Sequence, residues 1–226
     1  MPAINTATNT MPDAGAIPDP PATQAFVSDP ASWADPALAA PLFAPGLRAE
    51  TARRLFATPR FAGRASASLA DRLGRGDATT LHPLDLALAA APGAVLDAVA
   101  RHAGAIWHAR QIRALVLGAD IAQFCARLGE ATRTAALRHA ALAPDAGNAA
   151  DIDADAATTE QAGALADAIE CDGVHCLATW IDSLPEWAAA RVRLKIPPAS
   201  AWSISGDARA TAMRIVRTLA AEACAT

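Results

Sequence analysis

The sequence predicts an all-α fold, a compact multi-helix bundle behind a Pro-rich disordered N-terminal tail. Three observations carry this reading. Alanine accounts for 63 of the 226 residues, and it is the strongest helix former while burying little area. Strand-favouring residues are scarce, with five Phe, five Trp and no Tyr. Apolar residues recur every three or four positions in segments punctuated by Gly, Pro or Asp. The expectation is about eight to ten helices. They form one domain over residues 31–226, after a disordered tail at residues 1–30.

The elements follow in order. Nine of the 16 prolines fall within the first 45 residues, and residues 1–25 carry few large apolar groups, so they predict disorder. Ordered structure is expected to begin near Trp33. Asp35-Pro36 reads as an N-cap with Pro at the first helical position, and Leu38, Leu42 and Phe43 follow. Residues 47–57 predict a helix with Leu47, Leu55 and Phe56 inward and Arg48, Arg53 and Arg54 outward. Pro59 separates it from a weaker helix over residues 63–73, which Gly74-Arg75-Gly76-Asp77 stops. The densest core signal spans residues 83–142. Leu84, Leu86 and Leu88 precede a break at Pro92-Gly93, and Val95, Leu96 and Val99 make one stripe. Ile106, Ile112, Leu115, Val116 and Leu117 make another, closed by Gly118 as a C-terminal cap. Asp120 is expected to cap a helix over residues 121–128, and Glu130 to start a helix that reaches Leu142.

Residues 144–157 read as an acidic, low-complexity loop. Thr158 or Thr159 opens a helix through Leu165 and Ile169, and Val174, Leu177, Trp180 and Ile181 form a further stripe. Ser183-Leu184-Pro185-Glu186 resembles a capping box ahead of Trp187, Val192 and Leu194. The last helix takes Ser205 as its cap and aligns Ala208, Ala212, Ile215, Val216, Leu219 and Ala223. Helices joined by such short punctuation predict an antiparallel bundle.

Composition bounds the function. The net charge of −4 implies no global attraction to nucleic acid or membrane. Its distribution is uneven: residues 139–190 hold ten Asp or Glu and no Lys or Arg, whereas residues 101–138 hold six Arg. The first residues contain neither a basic n-region nor an apolar h-region, so no secretory signal is expected. No apolar run reaches the length of a membrane span. The four cysteines then read as reduced thiols. Cys171, His175 and Cys176 lie close in sequence, near Asp167 and Asp172. They lack the second ligand pair of a structural zinc site and read as a helix bearing small buried thiols and a partly exposed histidine. No nucleophile elbow or protease cysteine signature is present, and Gly74-Arg75-Gly76 lacks the context of a phosphate loop. Neither a cofactor nor a catalytic residue is expected, although an enzyme whose site assembles only in three dimensions is a third reading.

Residues 119–139, ADIAQFCARLGEATRTAALRH, read like a helix-turn-helix, with Glu130, Thr132, Arg133 and Thr134 opening the second helix. A DNA-binding regulator is therefore the alternative function. Against it stand the acidic chain and a reading face diluted by Ala131, Ala135 and Ala136.

The same region carries a second likeness. Residues 104–140, GAIWHARQIRALVLGADIAQFCARLGEATRTAALRHA, resemble the core of the type III secretion YscK/SctK family, through Ile112-Arg113, Gly118 to Ile121 and Leu128-Gly129. Ser32-Trp33-Ala34-Asp35-Pro36 is similar to the family's early Trp and Pro motif. Ser183-Leu184-Pro185-Glu186 with Arg191-Val192-Arg193-Leu194 is similar to its late Leu-Pro and Arg-Leu segment. The Pro-rich start, the acidic insertion and the extreme Ala content depart from the pattern. The resemblance implies a non-enzymatic, cytoplasmic adaptor at the cytoplasmic face of the inner membrane, peripheral to it through partners only. It would link an inner-membrane ring protein (SctD-like) to the pod protein (SctQ-like) of the sorting platform, with no cofactor, metal or nucleic acid. An adaptor with two partners needs faces of differing charge. Arg110, Arg113 and Arg127 on one side, and Arg191 and Arg193 on the other, are the expected partner contacts, whereas Trp107, Trp180 and Trp187 are expected to pack in or near the core.

Overall fold

The computed structural model describes residues 20–144, 158–197, 204 and 206–225. Among them are twelve α-helices and no strand, as the alanine-rich composition predicts. The helices are α1 (Pro20–Ser28), α2 (Pro36–Phe43), α3 (Ala49–Ala57), α4 (Pro59–Leu73), α5 (Pro83–Ala90), α6 (Gly93–Trp107), α7 (Ala109–Ala114), α8 (Gly118–Leu128), α9 (Glu130–Arg138), α10 (Thr158–Ile181), α11 (Glu186–Val192) and α12 (Asp207–Ala225). No single described helix is long and apolar enough to cross a membrane.

The bundle is organised around α10, which packs along α6 and also meets α12 and α8. The crossing of α6 and α10 is made by two glycines. A Cβ on Gly104 would overlap the Ile169 carbonyl oxygen, and one on Gly173 would overlap that of Ala100. Only Gly lets these backbones approach so closely. The main core fills in around them, with Leu96, Val99 and Ile106 of α6, Cys176 and Trp180 of α10, and Ile215 and Val216 of α12. A second cluster joins Ile112, Phe124, Leu128, Leu165 and Ile169, and a third holds Ala39, Leu69 and Leu73 with Leu194.

Buried polar groups fasten these layers. Asp85 of α5 accepts from Trp180 Nε1 at 2.9 Å and from Arg217 Nη2 of α12 at 2.8 Å, so a buried carboxylate ties three helices together. Lys195, the chain's single lysine, is buried. Its Nζ donates to the carbonyls of Ala89 (2.7 Å) and Ala91 (2.8 Å) and faces the rings of Phe26 and Trp33 at 4.8 and 4.9 Å. Burial pushes its ammonium down to about 7.

Several boundaries differ from expectation. The expected tail at residues 1–30 includes α1, whose Phe26 is fully buried against Trp33 and Trp187. One aromatic in a polar stretch is enough because its site is prebuilt by two other aromatics and a cation. Residues 1–19 lie outside the described residues, as do residues 145–157 of the acidic loop and Ser205. Asp35 caps α2 as the sequence indicates, accepting from the Ala37 N–H at 2.7 Å. Pro59 stands at the boundary between α3 and α4 as expected, but it opens α4 at its first turn, so that helix begins before Gly63. The Ile106 to Leu117 stripe is divided between α6, α7 and an extended linker, and Gly118 begins α8 instead of closing a helix. Asp120 is correspondingly inside the first turn of α8. The stripe from Val174 to Ile181 belongs to the same 24-residue helix as Thr158; Leu177, Trp180 and Ile181 are buried, whereas Val174 is exposed. Ser183 does not form the capping box: its hydroxyl donates to Trp180 O at 2.6 Å, and Pro185 stands at the start of α11.

Candidate functional site

The segment from Ala109 to Arg138 forms a corner of three short helices. Its first link, Leu115-Val116-Leu117, is extended because α7 is only six residues long and ends before these positions. Leu115 packs inward, but Val116 is 82% and Leu117 53% exposed. Both were expected in the core. They are instead an apolar tip on the surface. Arg110 and Arg113 are exposed on α7 just before it, so the tip has a basic flank. Exposed apolar residues beside arginines make this tip a candidate contact surface.

The other expected contacts divide sharply. Arg127 is exposed on α8 and engages α10, pairing with Asp167 and, at 3.3 Å, with Glu170. It therefore bridges the basic corner to the acidic helix within the chain. Arg193 is exposed and pairs with Asp182 at 2.8 Å. Arg191, expected at a contact surface, is 1% exposed and lies inside the chain, out of a partner's reach. Its guanidinium donates to the carbonyls of Leu73, Gly74, Val27 and Trp187. Burial pushes it below its ordinary value. The Arg-x-Arg spacing sets the two on opposite sides of the turn, about 200° apart, but does not say which side is buried. Trp180 and Trp107 are buried and Trp187 partly so, in line with the sequence reading.

The helix-turn-helix reading meets specific obstacles. Gly129, at φ +89°, does turn the chain between α8 and α9. However, Thr132 is buried and its hydroxyl donates to Leu128 O at 2.6 Å, while Arg133 pairs with Glu130 at 3.0 Å. The first turn of α9 thus presents a carboxylate, which repels phosphate, and withdraws one of its expected base contacts.

The cysteine cluster is also sorted by the fold. Cys176 points into the core, where burial drives its thiol far up, and Asp167 is taken by Arg127. Cys171, Asp172 and His175 stay together at the surface of α10, with one donor atom from each within 4.8 Å of the others. His108, 64 positions earlier, joins them through a 2.7 Å contact between its Nε2 and Asp172 Oδ2. It arrives there because it lies one turn beyond Gly104, the point of closest helix approach. Burial would raise the Asp172 carboxyl, but hydrogen bonds from His108 and His175 outweigh it and hold the group below its ordinary value.

Comparison of the chain with protein-family models, curated proteins and solved structures finds no match.

Proposed function

We propose that this protein is a non-enzymatic adaptor of a type III secretion system, linking the inner-membrane ring to the cytoplasmic sorting platform. The observation that carries the reading is the corner from α7 to α9. It is built from the residues 104–140 that resemble the YscK/SctK core. Its linker exposes Val116 and Leu117 beside Arg110 and Arg113. A small apolar tip with a basic flank suits docking to an acidic, partly apolar face of another protein. The partners proposed are the pod protein (SctQ-like) and the ring protein (SctD-like). Arg193, exposed and paired with Asp182, offers a mixed-charge surface for the second contact. An adaptor at the cytoplasmic face of the membrane, held there by partners, accords with these features.

The test is affinity purification of the tagged full chain from a secretion-competent bacterium, read by mass spectrometry. Recovery of the pod or ring protein, reduced when Arg110→Glu and Arg113→Glu are combined and with an unchanged melting temperature, supports the proposal. Recovery of neither from the wild-type protein contradicts it. Retention on DNA at low salt would replace it with the regulator reading.

A further inference from the structure

We propose that Cys171, Asp172 and His175 bind a divalent transition-metal ion of the zinc class, with His108 as a positioning residue. This rests on α10 and α6 alone and is independent of the adaptor reading.

The spacing comes from the helix. Cys171 and His175 are four residues apart on α10 and so lie on one face, one turn above the other. Cys171 Sγ is 3.8 Å from His175 Nε2. A zinc ion bound at about 2.3 Å from sulfur and about 2.05 Å from nitrogen, at a tetrahedral angle, needs a ligand separation of about 3.6 Å. The two donors are therefore within a small side-chain adjustment of holding one ion. The third donor is a carboxylate oxygen of Asp172.

The surroundings resemble those of metal ligands rather than of a random surface cluster. A ligating carboxylate is ordinarily itself hydrogen-bonded by an outer group that orients it. Asp172 Oδ1 lies 3.3 Å from His175 Nδ1 and the thiol 3.8 Å from His175 Nε2, so the three donors converge on one ion after a turn of the His175 ring. Asp172 is itself held at Oδ2 by His108, which is buried to 5% exposure. The buried Nδ1 of His108 has no hydrogen-bond partner. A buried histidine thus holds a partly exposed carboxylate in place through its Nε2.

Chemistry selects the ion. A sulfur, an imidazole nitrogen and one carboxylate oxygen suit zinc or cobalt better than magnesium or calcium, which take oxygen ligands. Cys171 is exposed, so the remaining coordination positions open to solvent. Other thiols are poorer candidates. Cys176 is fully buried, and Cys125 is pushed up to about 11 by burial and by donating to Glu130 at 2.8 Å. A group that stays protonated at neutral pH makes a weak ligand.

The test uses the full chain, reduced and stripped of metal by a chelator, and titrated with Co²⁺. The expected result is one equivalent bound, with a thiolate-to-cobalt charge-transfer band and the visible bands of a four-coordinate ion, both displaced by Zn²⁺. Cys171→Ser should abolish the charge-transfer band, and His175→Ala should weaken binding at least about tenfold. His108→Gln should weaken it by about tenfold, as loss of an outer hydrogen-bonding group does. Cys171 and His175 are accessible, so the metal-free melting temperature of both variants should match the wild type. Zn²⁺ should raise the melting temperature of the wild type and not of Cys171→Ser. Absence of a charge-transfer band in the wild type, or its persistence in Cys171→Ser, overturns the proposal.

Discussion

The crossing of α6 and α10 and the corner from α7 to α9 adjoin each other in the chain yet are built on opposite terms. At the crossing, Gly104 and Gly173 bring two backbones together, and Ala100, Ala103, Ile106 and Ile169 around them are buried. At the corner, short helices leave a three-residue linker whose Val116 and Leu117 face solvent. The same low-volume, Ala-rich composition supports both. Close packing of small residues supplies rigidity without large side chains. The large apolar groups that remain can then be placed outside. Stability and the recognition proposed for the corner would then reside in different residues, and substitutions should separate them.

The largest effect is expected at the crossing. Gly104→Val puts branched carbon against the Ile169 carbonyl, so backbone must move, and a loss of about 3 kcal/mol or more is expected in chemical denaturation. An unchanged denaturation midpoint would mean that the two helices do not approach as described. Next comes Arg191→Ala, which strips four carbonyls of their donor and leaves a cavity beneath α1. A loss of about 2–3 kcal/mol is expected, with early exposure of the Trp187 region in hydrogen exchange. A surface arginine would cost almost nothing, so this substitution also distinguishes Arg191 from Arg193.

A smaller effect concerns pH. Lys195 is pushed down to about 7 in the folded chain from an ordinary 10.5. Between those values the unfolded chain binds more protons than the folded one, so stability should rise with pH. Below about 7 the desolvation cost is present in full. The clean window lies between pH 7 and about 8.5, before thiols begin to ionise in the unfolded chain. Lys195→Met should flatten the slope of unfolding free energy in that window. A slope unchanged by the substitution would show that Lys195 keeps its proton. The smallest effect on stability is expected at the corner. Val116→Asp with Leu117→Asp should shift unfolding by no more than about 0.5 kcal/mol, because both side chains are already exposed.

The fold class was legible because periodicity survives high alanine content. The last helix shows it best, with Ala212, Ile215, Val216 and Leu219 buried along one face of α12. Features decided by tertiary contacts were not legible. Nothing in the sequence around Phe26 announces that Trp33, Trp187 and Lys195 await it. Nothing in the sequence around Gly173 marks it as a contact point, since that role is set by the partner backbone. Val116 and Leu117 fit a helical stripe by spacing but fall past the end of α7. In the candidate sites, Arg191 looks like Arg193 until the fold buries one of them. His108 cannot be linked to Asp172 from 64 positions away without the crossing that joins their helices.

The most direct test of the central claim is a calorimetric titration of purified pod protein into this protein, beside the Val116→Asp, Leu117→Asp variant. The separation of recognition from stability predicts binding by the wild type. It predicts binding at least about tenfold weaker for the variant, as truncation of an anchoring contact gives, at an unchanged melting temperature. Equal affinity of the two proteins, or no binding by the wild type, would contradict it.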